Sequence, residues 1–235
     1  MGAVLRAGGL TAAAVALAVA LSACGSGDSG SEATTTPGTG TTETTASTTT
    51  AAPETSTTAA VPADQDLAEY VRGHGLTMTA ARPGRPGVPR VDLPAPPGWA
   101  DAGPQTPADA FLAYRFADPA AAKDPATITL RMWKLTGNVD KEALLAAAPV
   151  DIQRLPGFGE AGQPIRNTLG GYEAVQIGGI YRKDGSRRLI AQKSVLIPGT
   201  DAVYLLQIDA EGAEEQLPPL LEATAFIDDT ASITR

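Results

Sequence analysis

The sequence predicts an α+β domain in which an antiparallel β-sheet is flanked by helices. Three segments near the C-terminus, residues 172–182, 187–197 and 202–209, are rich in β-branched and aromatic residues. Asp184-Gly185 and Pro198-Gly199, two strong turn dipeptides, join them. This order predicts an antiparallel meander, and helical patterns before, between and after the strands predict a layered domain.

Helical patterns occur at the start, middle and end of the domain. Residues 64–72 predict a helix with Asp66 as N-cap, which Gly73-His74-Gly75 ends. A second helix is expected after Asp140 and a closing one over residues 214–225, interrupted near Pro218-Pro219. These helices would cover the sheet, because the third strand of the meander is apolar on both faces.

Further strands are expected before the meander. Residues 110–116 and 127–133 alternate in polarity with a period of two, and residues 90–93 form a short extended edge. We interpret Trp99, which follows Pro96-Pro97-Gly98, as a ring that pins its loop to the core rather than as a ligand platform. Gly178-Gly179 indicates either a β-bulge, which we favour, or a close approach to the backbone.

The first 63 residues are predicted to lie outside this domain. After Arg6, residues 10–21 form an apolar run of about a dozen residues, shorter than the ~20 that span a bilayer. Such a run is typical of an export signal over residues 1–23. It ends in the sequence of a bacterial lipobox, which implies cleavage before the cysteine and lipidation of its thiol: Leu21, Ser22, Ala23, Cys24. The alternative is an ordinary cleaved signal that happens to contain a cysteine.

Residues 24–63 are expected to form the lipidated cysteine and a disordered tether. Thr, Ser, Gly, Ala and Pro dominate this segment, so it cannot bury enough apolar surface to fold. A glycosylated stalk and a plain disordered spacer are both open interpretations. One globular domain is then expected over residues 64–235, held by lipid chains at the extracytoplasmic face of the cell membrane.

Composition excludes some functions. The formal net charge is −8, which disfavours nucleic acid as a partner because phosphate binding needs a cationic surface. Cys24 is the single cysteine, so the domain has no intramolecular disulfide and depends on packing.

The sequence offers few groups for catalysis, metal binding or cofactor binding. His74 is the single histidine; we favour a helix-capping or surface role for it over that of a base or metal ligand. Residues 157–162 match G-x-G-x-x-G but follow a predicted helix instead of a strand, which favours a loop. The acid pairs Glu214-Glu215 and Asp228-Asp229 are typical of a solvated helix face. We therefore predict no catalytic residue, no metal and no cofactor.

A basic hairpin tip is the one charge anomaly. It gathers four cations in an acidic domain: Arg182, Lys183, Arg187 and Arg188. One interpretation is a surface that binds a protein partner or anionic headgroups. The other, which we favour, is a solvated turn whose charges discourage edge pairing.

Several phrases resemble the LpqN/LpqT lipoproteins of mycobacteria and their relatives, over essentially all of residues 64–235. They are Asp92-Leu93-Pro94 with Pro97-Gly98-Trp99, Lys134-Leu135-Thr136-Gly137-Asn138-Val139-Asp140, Gly170-Gly171-Tyr172-Glu173-Ala174-Val175-Gln176-Ile177-Gly178-Gly179, and Ile190-Ala191-Gln192-Lys193. The resemblance implies a Mog1/PsbP-like fold on a cell-envelope lipoprotein, with no catalytic residues to transfer.

Three functional hypotheses follow. The leading one is a non-catalytic module that binds envelope glycolipid or mycolate-type lipid, or the proteins that move it, and it predicts an apolar groove between the sheet and a helix. The second is a protein-interaction adaptor that uses the basic hairpin and a sheet edge. The third, an envelope hydrolase, requires a Ser or carboxylate cluster beside His74.

Overall fold

The computed structural model describes residues 65–159 and 163–235. They lie within one compact unit, Ser56–Arg235. Because the hydrophobic clusters are all built from residues of this unit, it has the core that a domain needs to fold alone. The predicted signal, lipobox, Cys24 and tether lie outside the described residues, as do residues 160–162 of the glycine motif.

The described chain contains four α-helices and ten strands. The helices are α1 (Leu67–Gly73), α2 (Lys141–Ala147), α3 (Val150–Gln153) and α4 (Leu217–Thr230). The strands are β1 (Thr77–Ala80), β2 (Arg90–Asp92), β3 (Trp99–Asp101), β4 (Leu112–Phe116), β5 (Thr127–Thr136), β6 (Ile165–Leu169), β7 (Tyr172–Lys183), β8 (Ser186–Pro198), β9 (Val203–Ala213) and β10 (Ser232–Thr234).

Eight of these strands form one antiparallel sheet in the order β3-β4-β5-β9-β8-β7-β6. The eighth, β1, pairs with β5 beyond the end of β4, so both lie along the same edge of β5. Strands β2 and β10 form a separate two-stranded sheet. The α+β class and the predicted meander of β7, β8 and β9 are confirmed.

The two faces of the sheet carry different helices. Helix α4 packs Leu220, Ala223 and Ile227 onto one face, against a cluster that includes Leu206 and Trp99. Helices α1 and α2 cover part of the other face through the remaining large cluster, whose fully buried members include Tyr70, Leu135, Leu144 and Leu205. Strand β9 therefore has helices over both faces, as its apolar sequence predicts.

The local signals for helix ends and turns are confirmed. The Asp66 carboxylate accepts from the Glu69 backbone N–H, and the Glu69 carboxylate accepts from the Asp66 backbone N–H, which is a capping box. Asp140 caps α2 by accepting from the Ala143 N–H at 3.1 Å. Asp184 and Gly185 take φ values of 50° and 81°, as the hairpin turn requires. The side chain of Trp99 is buried, with its ring centroid 5.6 Å from that of Phe116.

Two expectations were wrong. Strand β7 pairs with β8 residue for residue through Gly178 and Gly179, so there is no bulge at these glycines. Pro218 and Pro219 do not interrupt the closing helix; they lie in the first turn of α4, where a missing N–H has no partner to lose.

The sequence reasoning also missed the short strands β1, β3, β6 and β10, which have five residues or fewer. Strands this short show too few alternations to separate them from loops.

Candidate functional site

The candidate site is an apolar groove between helix α4 and strands β7 and β8. Its volume is about 390 Å³, within the ~300–1,000 Å³ typical of small-molecule sites. The lining is mostly aliphatic or glycine: Gln176, Gly178, Gly179, Ile180, Leu189, Ile190, Ala191, Ala210, Leu217, Leu220, Leu221 and Thr224. An apolar groove between the sheet and a helix is what the lipid-binding hypothesis predicts.

The floor of the groove is low because small residues align across three strands. Gly178 on β7 lies opposite Ala191 on β8, and Ala191 lies opposite Ala210 on β9. A Cβ added at Gly178 would first meet Ala191 and the Ile190 carbonyl, each at 3.4 Å, so its nearest neighbours belong to β8 and not to α4. The helix is therefore not seated on the sheet at Gly178.

The N-terminal part of α4 seats closely on β9 instead. A Cβ added at Gly212 would lie 2.9 Å from atoms of Ala126, Gln216 and Leu220. Since real Cβ contacts are longer, only glycine allows the helix to approach the strand here. Helix α4 thus contacts the sheet closely at Gly212 of β9 but not at Gly178 of β7. The groove lies in the space that remains between the helix and strands β7 and β8.

Two leucines of α4 form the exposed wall of the groove. Leu217 is 44% exposed and Leu221 is 58% exposed, whereas Leu220 on the same helix is buried. Large apolar side chains that face solvent beside a cavity are typical of surfaces that bind an apolar partner.

The groove becomes polar at its other end. There a small cavity of about 20 Å³ adjoins it and is lined in part by Gln176, Lys193 and Asp228. The Lys193 ammonium donates to the Asp228 carboxylate of α4. The Gln176 Oε1 accepts from Asn167 Nδ2 at 3.0 Å. The site thus has an apolar length and a charged end.

A second polar cluster lies on the opposite face of the sheet. Arg131 bridges two carboxylates, donating to Asp109 at 2.6 Å and to Asp209 at 2.7 Å. The Gln192 amide also donates to Asp209, at 2.9 Å. Burial raises the pKa of Asp209 although these donors act against it, whereas the hydrogen bond from Arg131 lowers the pKa of Asp109. The donors and acceptors of this cluster are paired with one another, and Gln192 is the member that also lines the small cavity.

The basic hairpin is largely neutralised by acids of the same domain. Lys183 lies 3.0 Å from Glu211, and the Arg187 guanidinium lies 2.9 Å from Glu214. Arg188, with 14% of its side chain exposed, pairs with both Glu211 and Asp124. For Arg182 the structure records a backbone bond from its N–H to the Pro156 carbonyl at 2.7 Å.

Glu211 anchors this network. Burial raises its pKa, but hydrogen bonds from Tyr181 and Lys183 and the nearby cations outweigh burial and hold the pKa below its usual value. The Tyr181 hydroxyl donates to Glu211 at 2.6 Å, and both burial and this bond raise the pKa of Tyr181. The geometry therefore fits the structural interpretation of the hairpin better than the partner surface.

The remaining sequence candidates have structural positions. His74 is the C-cap residue of α1, with its ring centroid 4.4 Å from that of Tyr70. Residues 157–159 follow α3 without regular structure, as the loop interpretation of the glycine motif requires. Asp228, one of the acids assigned to a solvated face, also lines the polar end of the groove.

The sequence reasoning singled out Gly178 and Gly179 but missed the other residues of the groove lining. Leu217 and Leu221 lie on α4, which the sequence analysis placed three residues too early. With the wrong starting residue, the spacing of apolar residues does not show which side of the helix is exposed. The row of Gly178, Ala191 and Ala210 appears only once the register of three strands is known.

In the described ranges, no helix is long and apolar enough to cross a membrane. The same ranges hold no group of three or more His, Cys, Asp or Glu side chains placed to bind a metal ion.

Comparison with known proteins identifies relatives of the whole domain. Residues 63–234 match the family model described as probable lipoprotein LpqN. The curated lipoprotein LpqN of Mycobacterium tuberculosis is 38% identical over 168 residues, which cover 72% of this chain and 73% of that protein.

A solved structure agrees with this assignment. The crystal structure of LpqN involved in cell envelope biogenesis of Mycobacterium tuberculosis matches with a TM-score of 0.69 and 36% identity, covering 73% of this chain and 99% of the crystallised one. The predicted resemblance is thereby confirmed, and this chain belongs to the LpqN family of probable lipoproteins.

Proposed function

We propose that this protein is a non-catalytic cell-envelope lipoprotein whose domain binds the acyl chain of an envelope lipid, such as a glycolipid or mycolate-type lipid. The observation that carries the proposal is the groove beneath α4, which is apolar along most of its length and bordered by Leu217 and Leu221. The involvement of the related LpqN in cell envelope biogenesis supports an envelope role.

The proposal includes the membrane anchor predicted from the N-terminal sequence. Lipid chains on Cys24 would hold the domain at the extracytoplasmic face of the cell membrane, on a tether that lets it reach lipids or transport proteins there. A Mog1/PsbP-like fold is the finer assignment that we propose for the antiparallel sheet and its flanking helices.

The protein-adaptor alternative has less support from the structure. Its sequence basis was four cations at the hairpin tip, and three of these have acidic partners within the domain: Lys183, Arg187 and Arg188. A hydrolase also has less support, because His74 caps a helix beside Tyr70.

The groove can be tested with a neutral amphiphile. Equilibrium dialysis of the Ser56–Arg235 unit against radiolabelled dodecanol is expected to show saturable binding. Leu217→Gln with Leu221→Gln should weaken that binding about tenfold or more, because the two half-exposed side chains together offer about one leucine of apolar surface, worth ~1.5–3 kcal/mol when buried.

Ile165→Gln is the matched control. Ile165 is 65% exposed on β6 and lies outside the groove lining, so the loss of its apolar surface should leave dodecanol binding unchanged. Absence of saturable binding to the unaltered domain, or equal binding by the double leucine variant, would contradict the proposal.

A further inference from the structure

The polar end of the groove contains a buried cation held by an exposed anion. The Lys193 side chain is 8% exposed, whereas its partner Asp228 is 41% exposed on the surface of α4. Lys193 lies on β8 opposite Gln176 of β7, one side-chain row from Ala191 on the groove floor. The small cavity beside them shares Gln176, Ala191, Ala210 and Thr224 with the groove, so the two spaces adjoin.

This difference in exposure makes the two partners unequal. A buried ammonium is destabilising without an anion beside it, so Lys193 favours the presence of a carboxylate. The Asp228 side chain can rotate out into the solvent at little cost in free energy, because much of it is already exposed. A ligand anion that entered through the groove would therefore replace Asp228 beside Lys193 and leave Asp228 hydrated.

Hydrogen-bond donors remain for such a ligand. An ammonium has three N–H groups, and among the described residues Asp228 is the acceptor for Lys193. The Oε1 of Gln176 is occupied by Asn167, which leaves the Nε2 hydrogens of the amide as further donors.

The cavity beside Lys193 is small while Asp228 is bound there, which favours a compact anionic group. About 20 Å³ is little more than the ~10–15 Å³ that one water needs by the same measure. A carboxylate at the end of an unbranched chain places small oxygens there, whereas a phosphodiester would bring a glycerol backbone as well.

We infer that the groove is selective for an unesterified long-chain fatty acid, whose ionised carboxylate binds Lys193 in place of Asp228. Lys193 is the anion-binding residue, and Asp228 is an internal competitor that occupies the site when no ligand is bound. This inference rests on the proposed function, since the acyl chain must lie in the groove for its carboxylate to reach Lys193.

The experiment compares dodecanoate with dodecanol, which differ only in the charged end. At pH 8 the Ser56–Arg235 unit is expected to prefer dodecanoate. Asp228→Asn removes the competitor and should raise the ratio of dodecanoate to dodecanol affinity about tenfold, the worth of one charge-assisted hydrogen bond. Lys193→Met should abolish the preference, and the double variant Lys193→Met with Asp228→Asn, which leaves no unpaired charge, should do the same.

Asp229→Asn is the matched control, because Asp229 is an exposed acid next to Asp228 that does not line the cavity. It should leave the affinity ratio unchanged. The inference is overturned if Asp228→Asn lowers the ratio or leaves it unaltered, or if the double variant keeps the preference. In those cases dodecanol binding by the unaltered domain preserves the proposed function, whereas failure of the unaltered domain to bind either amphiphile overturns both.

Discussion

The close seating of helix α4 on strand β9 depends on Gly212. In Gly212→Ala, the new Cβ would lie 2.9 Å from Ala126 Cβ, Gln216 Oε1 and Leu220 Cδ1, so at least one of these groups must move. Overpacking of this kind costs ~1–3 kcal/mol. The reduced freedom of the unfolded chain offsets about 0.4–1 kcal/mol of it. We expect a net loss of about 0.5–2 kcal/mol in the free energy of unfolding.

Gly178→Ala provides the comparison within the same sheet face. Its Cβ would meet Ala191 and the Ile190 carbonyl at 3.4 Å, an ordinary contact distance. Alanine also lowers the conformational entropy of the unfolded chain, as in Gly212→Ala. This variant should therefore be as stable as the parent domain or about 0.4–1 kcal/mol more stable.

Urea unfolding of the two variants, followed by far-ultraviolet circular dichroism, measures the difference. The midpoint of Gly212→Ala should fall and that of Gly178→Ala should hold or rise, with the dependence on urea unchanged in both. If Gly212→Ala proved as stable as Gly178→Ala, α4 would not be seated by contact at this glycine, and the explanation of the groove would be refuted.

Two further predictions concern the hairpin network and the anchor. Glu211→Gln should lower the free energy of unfolding at neutral pH by about 1–3 kcal/mol, because Tyr181 and Lys183 lose a charged acceptor. Burial alone would raise the pKa of Glu211, but its donors hold it below the usual 4.5; its stabilisation is therefore present above pH 4.5 and lost as the pH falls through the lower value of the folded state. Urea midpoints should thus converge for Glu211→Gln and parent as the pH drops below 4.5, and a constant difference would contradict this assignment. Cys24→Ser should abolish incorporation of radiolabelled palmitate in the host, since serine has no thiol to lipidate, and unchanged labelling would exclude Cys24 as the anchor.

The fold class could be predicted from sequence because its signals are local. The turn at Asp184-Gly185, the caps Asp66 and Asp140, and the alternation along β5 each depend on a few neighbouring residues. Strand β1 could not be predicted in the same way. Its four residues become a strand by pairing with β5, more than 50 residues later in the chain, and that pairing is a tertiary contact.

The hairpin shows why a charge cluster is a weak guide to function. Four cations lie within seven positions of sequence, but the acidic partners of Lys183, Arg187 and Arg188 come from elsewhere in the chain. Arg188 pairs with Glu211, 23 residues away, and with Asp124, 64 residues away. The sequence therefore shows a local excess of positive charge. It does not show the acidic partners, because folding alone brings them next to the hairpin.

The groove is better explained as a binding feature than as a packing fault. Three aligned positions on its floor hold the smallest side chains, although a Cβ at Gly178 would meet its nearest neighbours at an ordinary contact distance of 3.4 Å. A larger apolar residue at Gly178 would bury more apolar surface in the groove and stabilise the domain. The domain lacks this stabilisation, because small residues form the floor beneath an exposed apolar wall. Lower stability of this kind is common where a site must stay open for a ligand. The same reasoning applies to Lys193, because a buried ion pair often stabilises a domain no more than well-packed aliphatic residues would, and a second anion in the place of Asp228 gives its buried charge a binding role.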